Sequence, residues 1–378
     1  MYYKILFLCG SLESGRDGVG DYTRRLAGEL IRQGHAAAII SLNDKHISES
    51  SASYQESDNT TISVLRLSYL LHQEKRVEFA TAWIANYHPD WISLQYVPFA
   101  FHSKGLPFGL ANCLNKIGKG IRWHVMVHEL WVGMDKEASL KFISWGWFQK
   151  QLIKSLITKL KPAVIHTQTN LYIKMLEKIG FKANHLPLFG NIPVVSNATK
   201  NELQYSELND TKTLSFVVFG NLHHSAPIDL FANEARLYKI ASGINVVLKM
   251  IGRCGAEQPN WEKTWREADL TIEVLGEQPE EVISEVLSTA SFGISTTPAS
   301  LIEKSGTVAA MREHELTVLC ISRSWHPRGF EELQLPVGIV QYKEGELKEF
   351  ITAHSQKDNY TNISDITRQM TYSLQLAF

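Results

Sequence analysis

Short apolar runs alternate with segments of helical period along most of this chain. Ile5 to Cys9 forms a compact apolar run of the kind that a buried parallel strand shows. Tyr22, Leu26 and Leu30 then recur every four residues on one helix face. Because Gly34 follows that face, the helix is expected to end there. Strands that alternate with helices predict an α/β fold in which helices cover parallel sheets.

The same alternation occurs in both halves of the chain, and a polar stretch separates them. From Asn197 to Thr213 the sequence is polar and has no strong periodicity. We therefore predict two doubly wound parallel-sheet domains, over 1–195 and 196–346, followed by a helical segment over 347–378. The expected strands after the first are Ala36 to Leu42, Trp91 to Leu94, Trp123 to Val127, Ala163 to His166, Leu214 to Phe219, Val246 to Ile251, Thr271 to Val274, Phe292 to Ser295 and Thr317 to Ile321.

Length and composition are those of a two-domain globular protein. The 378 residues exceed what one hydrophobic core usually holds. A formal net charge of −1 gives no electrostatic reason to expect nucleic acid as a partner. The cysteines at positions 9, 113, 254 and 320 show no pair spacing typical of a metal site. The N-terminal apolar run is too short for a signal peptide, and no stretch approaches the roughly 20 apolar residues of a spanning helix, so we expect a cytoplasmic protein.

The run Asp17-Gly18-Val19-Gly20-Asp21-Tyr22 lies between the first strand and the first helix. Glycines at a helix N-terminus let the backbone approach a ligand, and free N–H groups with the helix dipole favour negative charge there. The run therefore predicts an anion or sugar pocket in which Gly18, Val19 and Gly20 bind the donor, although a turn that needs glycine only for packing has the same sequence. A phosphate-binding P-loop is disfavoured because Arg16 and Asp17 stand where that loop needs Lys and Ser or Thr. A dehydrogenase is disfavoured because the dinucleotide fingerprint is absent after the strand.

Three segments carry a resemblance to a known family. The sequence reads GRDGVGDYTRRLAGELIRQGH from Gly15, VMVHELW from Val125 and SLIEKSGTVAAMREHELTVL from Ser300. In this order and spacing they resemble glycosyltransferase family 4, whose members have the GT-B fold, and LQYVPFAFHSKGLP and LPLFGNIP fit the same pattern. The resemblance implies retaining sugar transfer from a nucleotide-sugar, without a metal or other cofactor, in a cleft between two Rossmann-like domains. It also implies that the C-terminal segment packs back on the first domain.

Under this resemblance the second domain binds the donor. Glu303 matches the family glutamate that accepts hydrogen bonds from donor-sugar hydroxyls. A helix is expected to start about Lys304, whose ammonium would add a positive charge. The first free N–H groups of that helix, those of Ser305, Gly306 and Thr307, would then face the diphosphate. Charge that collects on the departing nucleoside diphosphate would be stabilised by these donors, although an ordinary lysine exposed at a helix start is the alternative.

Two departures from the family pattern concern the nucleotide. Gly220 and Asn221 follow an apolar strand, and Asn221 stands where the family has an arginine that neutralises the diphosphate. An amide carries no charge, and charge-assisted bonds to phosphate are roughly twice as strong as neutral ones. We expect Lys304 to take over this role, and the weaker candidates are His223, His224, Lys249 and Arg253. The second family glutamate, which holds the ribose, falls near Ala309 to Met311, where no side chain accepts such bonds.

His128 and Glu129 follow the strand Trp123 to Val127, so they are expected at its carboxyl end. In the family a histidine here contacts the donor sugar near the reacting carbon. We therefore expect His128 to be catalytic with Glu129 beside it, and a hydrogen-bonded structural histidine is the alternative. Asp21 and Tyr22 are assigned to the acceptor, although Asp21 alternatively complements the helix dipole. In the family the leaving group itself draws the acceptor proton.

The segment 141–161 contains five lysines and no acid, with large apolar side chains between the lysines. This composition is typical of a helix on an anionic membrane surface, where lipid-linked acceptors are found. A domain helix that packs its apolar side on the sheet is the alternative. The sequence therefore predicts a transferase with a nucleotide-sugar donor and a carbohydrate or lipid-linked acceptor in cell-surface or exopolysaccharide synthesis. A catalytically inactive GT-B sugar-binding or scaffold protein is the alternative.

Overall fold

The structure is a computed structural model that describes residues 1–195, 213–330, 334–353 and 362–377. The chain divides into two compact units. Unit 1 comprises Met1–Pro187, His326–Glu331 and Asn362–Phe378, and unit 2 comprises Leu188–Trp325 and Glu332–Thr361. The predicted domain boundary falls in 196–212, which lies outside the described residues.

Helices alternate with strands throughout the described residues. The first elements are β1 (Lys4–Cys9), α1 (Gly18–Arg32), β2 (Ala36–Asp44), β3 (Ser51–Ser57), β4 (Thr60–Ser68), α2 (Gln73–Tyr87), β5 (Trp91–Tyr96), α3 (Pro98–Phe101), α4 (Leu110–Ile117), β6 (Arg122–Val127), α5 (Leu140–Leu160), β7 (Val164–Thr167), α6 (Asn170–Glu177) and β8 (Asn184–His185). The later elements are β9 (Thr213–Phe219), α7 (Ile228–Ser242), β10 (Asn245–Ile251), α8 (Gln258–Glu267), β11 (Thr271–Gly276), α9 (Glu280–Thr289), β12 (Phe292–Ser295), α10 (Gly306–Glu313), β13 (Val318–Cys320), β14 (Ile339–Gln341), α11 (Leu347–Ala353) and α12 (Ile363–Leu376). A 3-10 helix over Ala299–Lys304 precedes α10.

Unit 1 contains a sheet of eight strands in the order β3-β4-β2-β1-β5-β6-β7-β8. All neighbouring strands are parallel except β3 and β4, which form an antiparallel pair. Strands β1 and β5 lie at the centre of this sheet and are buried along nearly their whole length. Strands buried on both faces are mainly apolar, which explains the apolar runs at these positions. Between β1 and β5 the strand order reverses, and ligands of open α/β sheets bind beyond the carboxyl ends of strands at such a switch point.

Unit 2 contains six parallel strands in the order β11-β10-β9-β12-β13-β14. This is the strand order of a Rossmann domain, with its switch point between β9 and β12. The apolar run over 214–219 becomes the buried strand β9, which pairs with β10 on one side and β12 on the other. The prediction of two doubly wound α/β domains is confirmed.

The C-terminal helices belong to different units. Helix α11 lies in unit 2, whereas α12 packs on α1 in unit 1, where the Gln33 side-chain amide donates to the Ser364 carbonyl at 3.0 Å. Residues 354–361 lie outside the described chain. Among the residues with described structure, no helix is both long and apolar enough to cross a membrane.

Candidate functional site

The switch point of unit 2 brings together two loops that the sequence assigned to the donor. Strand β9 leads into Gly220 and β12 leads into Thr296, and the His223 N–H donates to Thr296 Oγ1 at 2.7 Å. Gly220 has φ 77°, and a Cβ at this position would lie 2.9 Å from Thr307 Cγ2. Glycine therefore lets the loop after β9 lie against the first turn of α10.

Helix α10 begins two residues later than the sequence predicted. Lys304 ends the 3-10 helix, and Ser305 is the extended N-cap of α10, with its Oγ accepting from the Val308 N–H at 3.4 Å. The N–H of Ser305 donates to the Ile302 carbonyl at 3.1 Å, so the expectation that this group is free is wrong. In the described chain, the N–H groups of Gly306 and Thr307 have no protein acceptor. Two of the three predicted backbone donors are thus available.

Glu303 and Lys304 are both half-buried in the last turn of the 3-10 helix. They directly precede the Ser305 cap, so their side chains start next to the available N–H groups. Two nearby ionic residues have structural contacts in unit 2. Arg312 is 2% exposed and donates to the Leu316 carbonyl at 2.8 Å, and Glu313 accepts from the Gly190 N–H at 3.0 Å. Neither stands in for the missing family glutamate.

Asn221 and Arg253 follow the neighbouring strands β9 and β10. The Asn221 side chain lies against Gly255, where a Cβ would meet its Oδ1 at 2.3 Å. Arg253 is exposed, and its guanidinium forms a 2.7 Å ion pair with Glu277. This side-chain hydrogen bond raises the pKa of Arg253. The positive charge of Arg253 is therefore already paired at the edge of the sheet.

The predicted anion pocket of unit 1 is occupied by the protein itself. Asp17 is the N-cap of α1, and its Oδ1 accepts from the N–H groups of Val19 and Gly20, each at 3.0 Å. Burial raises the pKa of Asp17, against the lowering effect of these two bonds. The expectation of free N–H groups at Val19 and Gly20 is wrong, because a carboxylate of the chain caps them.

The two glycines in this turn, Gly18 and Gly20, differ in whether the surroundings leave room for a side chain. At Gly20 a Cβ would lie 2.7 Å from the Ser11 carbonyl oxygen, whereas at Gly18 it would meet open space. Glycine at Gly20 therefore permits close packing of α1 against the preceding loop, which is the alternative that the sequence left open.

The two residues assigned to the acceptor make contacts within unit 1. Asp21 accepts from the Gly15 N–H at 3.2 Å and forms a 2.7 Å ion pair with Arg24. Tyr22 is 5% exposed, and its ring packs edge-on against His128 with centroids 4.9 Å apart. The first turn of α1 is thereby fixed against the end of β6.

Both ring nitrogens of His128 have hydrogen-bond partners. Gln95 Oε1 lies 2.9 Å from His128 Nε2, and the Gln168 side-chain nitrogen lies 2.8 Å from His128 Nδ1. Because the Gln95 nitrogen donates to Ser93, its oxygen accepts from His128, which assigns the ring proton to Nε2. A ring nitrogen can bind substrate only by exchanging one of these partners. Glu129 follows with a half-exposed side chain.

A buried hydrogen-bonded chain continues from this network across the sheet. Ser93 Oγ lies 2.8 Å from His124 Nδ1, His124 Nε2 lies 3.0 Å from His166 Nδ1, and His166 Nε2 lies 3.2 Å from Ser373 Oγ of α12. Burial lowers the pKa of His124 well below its usual value and lowers that of His166 to about 4. This network was not predicted from the sequence. Polar residues inside apolar strands could have indicated it, because buried polar groups need hydrogen-bond partners.

Helix α5, which covers the lysine-rich segment 141–161, has two different halves. Its buried side chains lie mainly in the C-terminal half, where they pack on unit 1. In the N-terminal half Phe142, Trp147 and Phe148 are 45%, 55% and 50% exposed. In the part of the chain that is described, no three His, Cys, Asp or Glu side chains are grouped to hold a metal ion.

No protein-family model and no curated protein matches the sequence. Among solved structures, HepE of Anabaena in complex with UDP and glucose matches 99% of this chain and 98% of its own, with 15% identity and a TM-score of 0.56. The chain has the GT-B fold. The catalytic domain of starch synthase IV from Arabidopsis thaliana, bound to ADP and acarbose, matches with 12% identity and a TM-score of 0.53, over 100% of this chain and 98% of that one.

A third GT-B structure is that of an enzyme with a different activity. UDP-GlcNAc 2-epimerase from Neisseria meningitidis, bound to UDP-GlcNAc, matches over 100% of both chains with 10% identity and a TM-score of 0.56. At such identities the likeness shows the fold alone. Because a synthase and an epimerase share GT-B, the reaction must be argued from the residues of this chain.

Proposed function

We propose that this chain is a retaining glycosyltransferase that moves a sugar from a nucleotide-diphosphate donor to a carbohydrate or lipid-linked acceptor. The observation that carries the proposal is the N-terminus of α10. The available N–H groups of Gly306 and Thr307 lie there beside Gly220, at the switch point of a Rossmann sheet. GT-B structures with UDP or ADP bound support a nucleotide ligand for such a sheet. The family resemblance supports the assignment to cell-surface or exopolysaccharide synthesis.

The chemistry of this edge suits a diphosphate. Backbone N–H groups and the helix dipole favour an anion, and the Lys304 ammonium would add a full charge. These donors are fixed before reaction, so they would stabilise the charge that develops on the leaving nucleoside diphosphate more than the ground state. Asn221 contributes a dipole in place of the family arginine. We include no metal ion in the proposal, because the family resemblance implies transfer without one.

The sugar-facing roles follow the resemblance. Glu303 would accept hydrogen bonds from donor-sugar hydroxyls, and His128 with Glu129 would contact the sugar near the reacting carbon. With a diphosphate as leaving group, its own oxygen would accept the proton of the acceptor hydroxyl. No protein nucleophile is then required, and the configuration of the sugar carbon is retained. Asp21 and Tyr22 would contact the acceptor.

The proposal is tested by a panel of nucleotide-sugars. The purified full chain is incubated with UDP-, GDP- and ADP-sugars, and release of nucleoside diphosphate is measured with chromatography of the sugar product. Release that requires an acceptor supports transfer, and a changed sugar that stays attached to the nucleotide would instead indicate epimerisation. If no nucleotide-sugar reacts and no nucleotide raises the melting temperature, the transferase proposal is overturned.

A catalytically inactive GT-B scaffold is the second candidate, and specific contacts favour it. Arg253 is paired with Glu277, Asn221 carries no charge, and both nitrogens of His128 are occupied. A scaffold of this kind would show no melting-temperature shift with UDP, GDP or ADP. A melting-temperature shift with nucleotide in large excess over the dissociation constant separates the transferase from this candidate.

We also propose peripheral contact of α5 with an anionic membrane surface. Exposed Phe142, Trp147 and Phe148 would enter the interface, and the lysines of 141–161 would face anionic headgroups. Flotation with anionic liposomes is compared for the wild type, Trp147→Ser/Phe148→Ser and Lys150→Glu/Lys154→Glu/Lys159→Glu. Both variants are expected to float less than the wild type. Equal flotation, or none by any protein, removes this part of the proposal.

A further inference from the structure

A separate pocket of about 230 Å³ lies in unit 1 beside the carboxyl end of β2. Residues of α2, α4 and the segment between α3 and α4 form its other walls. Most of the lining is apolar and includes Leu42, Val77, Phe101, Phe108, Leu110 and Leu114.

One wall of this pocket contains a cation without an acidic partner. Arg76 is half-buried, and its Nη1 donates to the Leu42 carbonyl at 2.8 Å and to Asn43 Oδ1 at 2.7 Å. Its Nε is buried and has no hydrogen-bond partner in the described chain. Burial lowers the pKa of Arg76 against an opposing effect of the nearby Cys113 thiol, and no carboxylate among the described residues adds to that opposing effect. The guanidinium therefore keeps an uncompensated charge at an apolar pocket.

The unused edge of this guanidinium has a defined geometry. Nη1 is committed to β2, so Nε and Nη2 form the side that binds two oxygens of one carboxylate or phosphate. His102 also lines this pocket. Its Nδ1 accepts from the N–H groups of Lys104 and Leu106, at 3.2 and 3.3 Å, which assigns the ring proton to Nε2.

We propose that this pocket binds an anionic amphiphile, with its carboxylate or phosphate on Arg76 and its apolar chain or ring against the remaining walls. An apolar pocket with a few converging polar groups is the usual form of a small-molecule site. The anion would satisfy the Nε donor and compensate the buried charge, while the apolar part would displace water from Phe108, which is 65% exposed. The site goes beyond the proposed sugar transfer, and its occupancy needs no turnover.

Cys113 reports occupancy without any mutation. It lines the pocket and is half-exposed, whereas Cys9, Cys254 and Cys320 are buried. Alkylation of Cys113 by a maleimide is followed by peptide mass spectrometry in the presence of octyl phosphate, octanoate, 1-octanol or octyltrimethylammonium, each below its micelle concentration. Octyl phosphate and octanoate are expected to slow alkylation with dissociation constants roughly tenfold to a hundredfold below that of octanol. Inorganic phosphate tests whether the headgroup binds alone.

The wild-type comparison already decides the proposal. Equal protection by octanol and the anionic probes, or protection by none of them, overturns it. Protection by inorganic phosphate as strong as by octyl phosphate would show a simple anion site and overturn the amphiphile assignment.

Three variants then locate the headgroup. Arg76→Gln is expected to abolish the preference for anionic probes, because the amide keeps a donor and loses the charge. Lys75→Gln is the matched control, since Lys75 is an exposed neighbour on α2 that pairs with Glu78. An Arg76→Gln protein with wild-type preference contradicts the assignment. Folding of each variant is checked by circular dichroism. If Arg76→Gln does not fold, Arg76→Lys replaces it. This variant keeps the charge without the two-donor edge, so we expect its preference for anionic probes to be intermediate.

Discussion

The switch points of the two sheets are built from similar parts and differ in what fills them. In unit 1 the first turn of α1 is capped by the Asp17 carboxylate, and His128 at the end of β6 is bonded on both sides. In unit 2 the first turn of α10 is capped by the neutral Ser305 hydroxyl, and the N–H groups of Gly306 and Thr307 stay available. In unit 1 the protein itself accepts the hydrogen bonds of the backbone donors, whereas in unit 2 two backbone donors can bind a ligand.

A glycine-containing helix start therefore does not by itself indicate an anion site. Glycine lets the backbone lie close to a neighbouring group or ligand, but the charge of the capping side chain decides whether the helix start can bind an anion. A carboxylate cap supplies the anion itself and repels a second one. A serine cap leaves the dipole of the helix uncompensated.

Acid should weaken unit 1 through its buried histidines. Burial lowers the pKa of His166 from 6.5 to about 4, so below pH 6.5 the unfolded chain binds a proton that the folded chain does not. Stability is therefore fully present above that pH and falls as the pH approaches 4. Between pH 7 and 4.5 His166 alone should cost about 2 to 3 kcal/mol. Urea unfolding at both pH values should show a smaller loss for His166→Gln than for the wild type, and equal losses would contradict the assignment.

Removing the Lys304 ammonium should weaken nucleotide binding in unit 2. A charge-assisted bond to phosphate contributes about 1.5 to 3 kcal/mol, so Lys304→Ala should raise the dissociation constant of UDP roughly tenfold to a hundredfold. Arg253→Ala is the matched control, because its exposed charge is already paired with Glu277, and it should change the constant less than about threefold. Isothermal titration measures both. A full UDP affinity in Lys304→Ala would move the diphosphate elsewhere.

Removing the carboxylate cap of unit 1 should affect stability and leave nucleotide affinity unchanged. Asp17→Ala loses two hydrogen bonds to the first turn of α1, which costs about 1 kcal/mol. Asp17→Asn still accepts such bonds and should keep most of the stability. Thermal unfolding and UDP titration of the same samples test both statements. Weaker UDP binding by Asp17→Ala would show that this turn belongs to the donor site after all.

The main strands could be predicted because they are buried on both faces. Such strands must be apolar, and the runs at 5–9 and 214–219 show this directly. Strand β3 was missed because most of its side chains are exposed and polar, which leaves no apolar run. Strand β4 has buried apolar side chains, and it was not predicted as a strand from the sequence. The start of α10 was misplaced because the 3-10 turn before it has helical character in the sequence.

The contacts of the candidate site were harder to predict than its position. His128 was identified from its place after a strand, but Gln95 and Gln168 reach it from other parts of the chain. Arg76 carries no motif, and only its missing partner in the folded unit marks the pocket. Such pairings depend on three-dimensional packing, which a local pattern does not encode.

The central claim is that backbone donors at the start of α10 bind a nucleoside diphosphate, and one substitution removes such a donor alone. Gly306 is the first residue of α10, Ser305 before it is extended, and a Cβ at Gly306 meets open space, so proline fits there and deletes the N–H. Gly306→Ala keeps the N–H and is the control. We predict by isothermal titration that Gly306→Pro binds UDP roughly tenfold to a hundredfold more weakly than Gly306→Ala. Equal affinities in the two variants would contradict the claim.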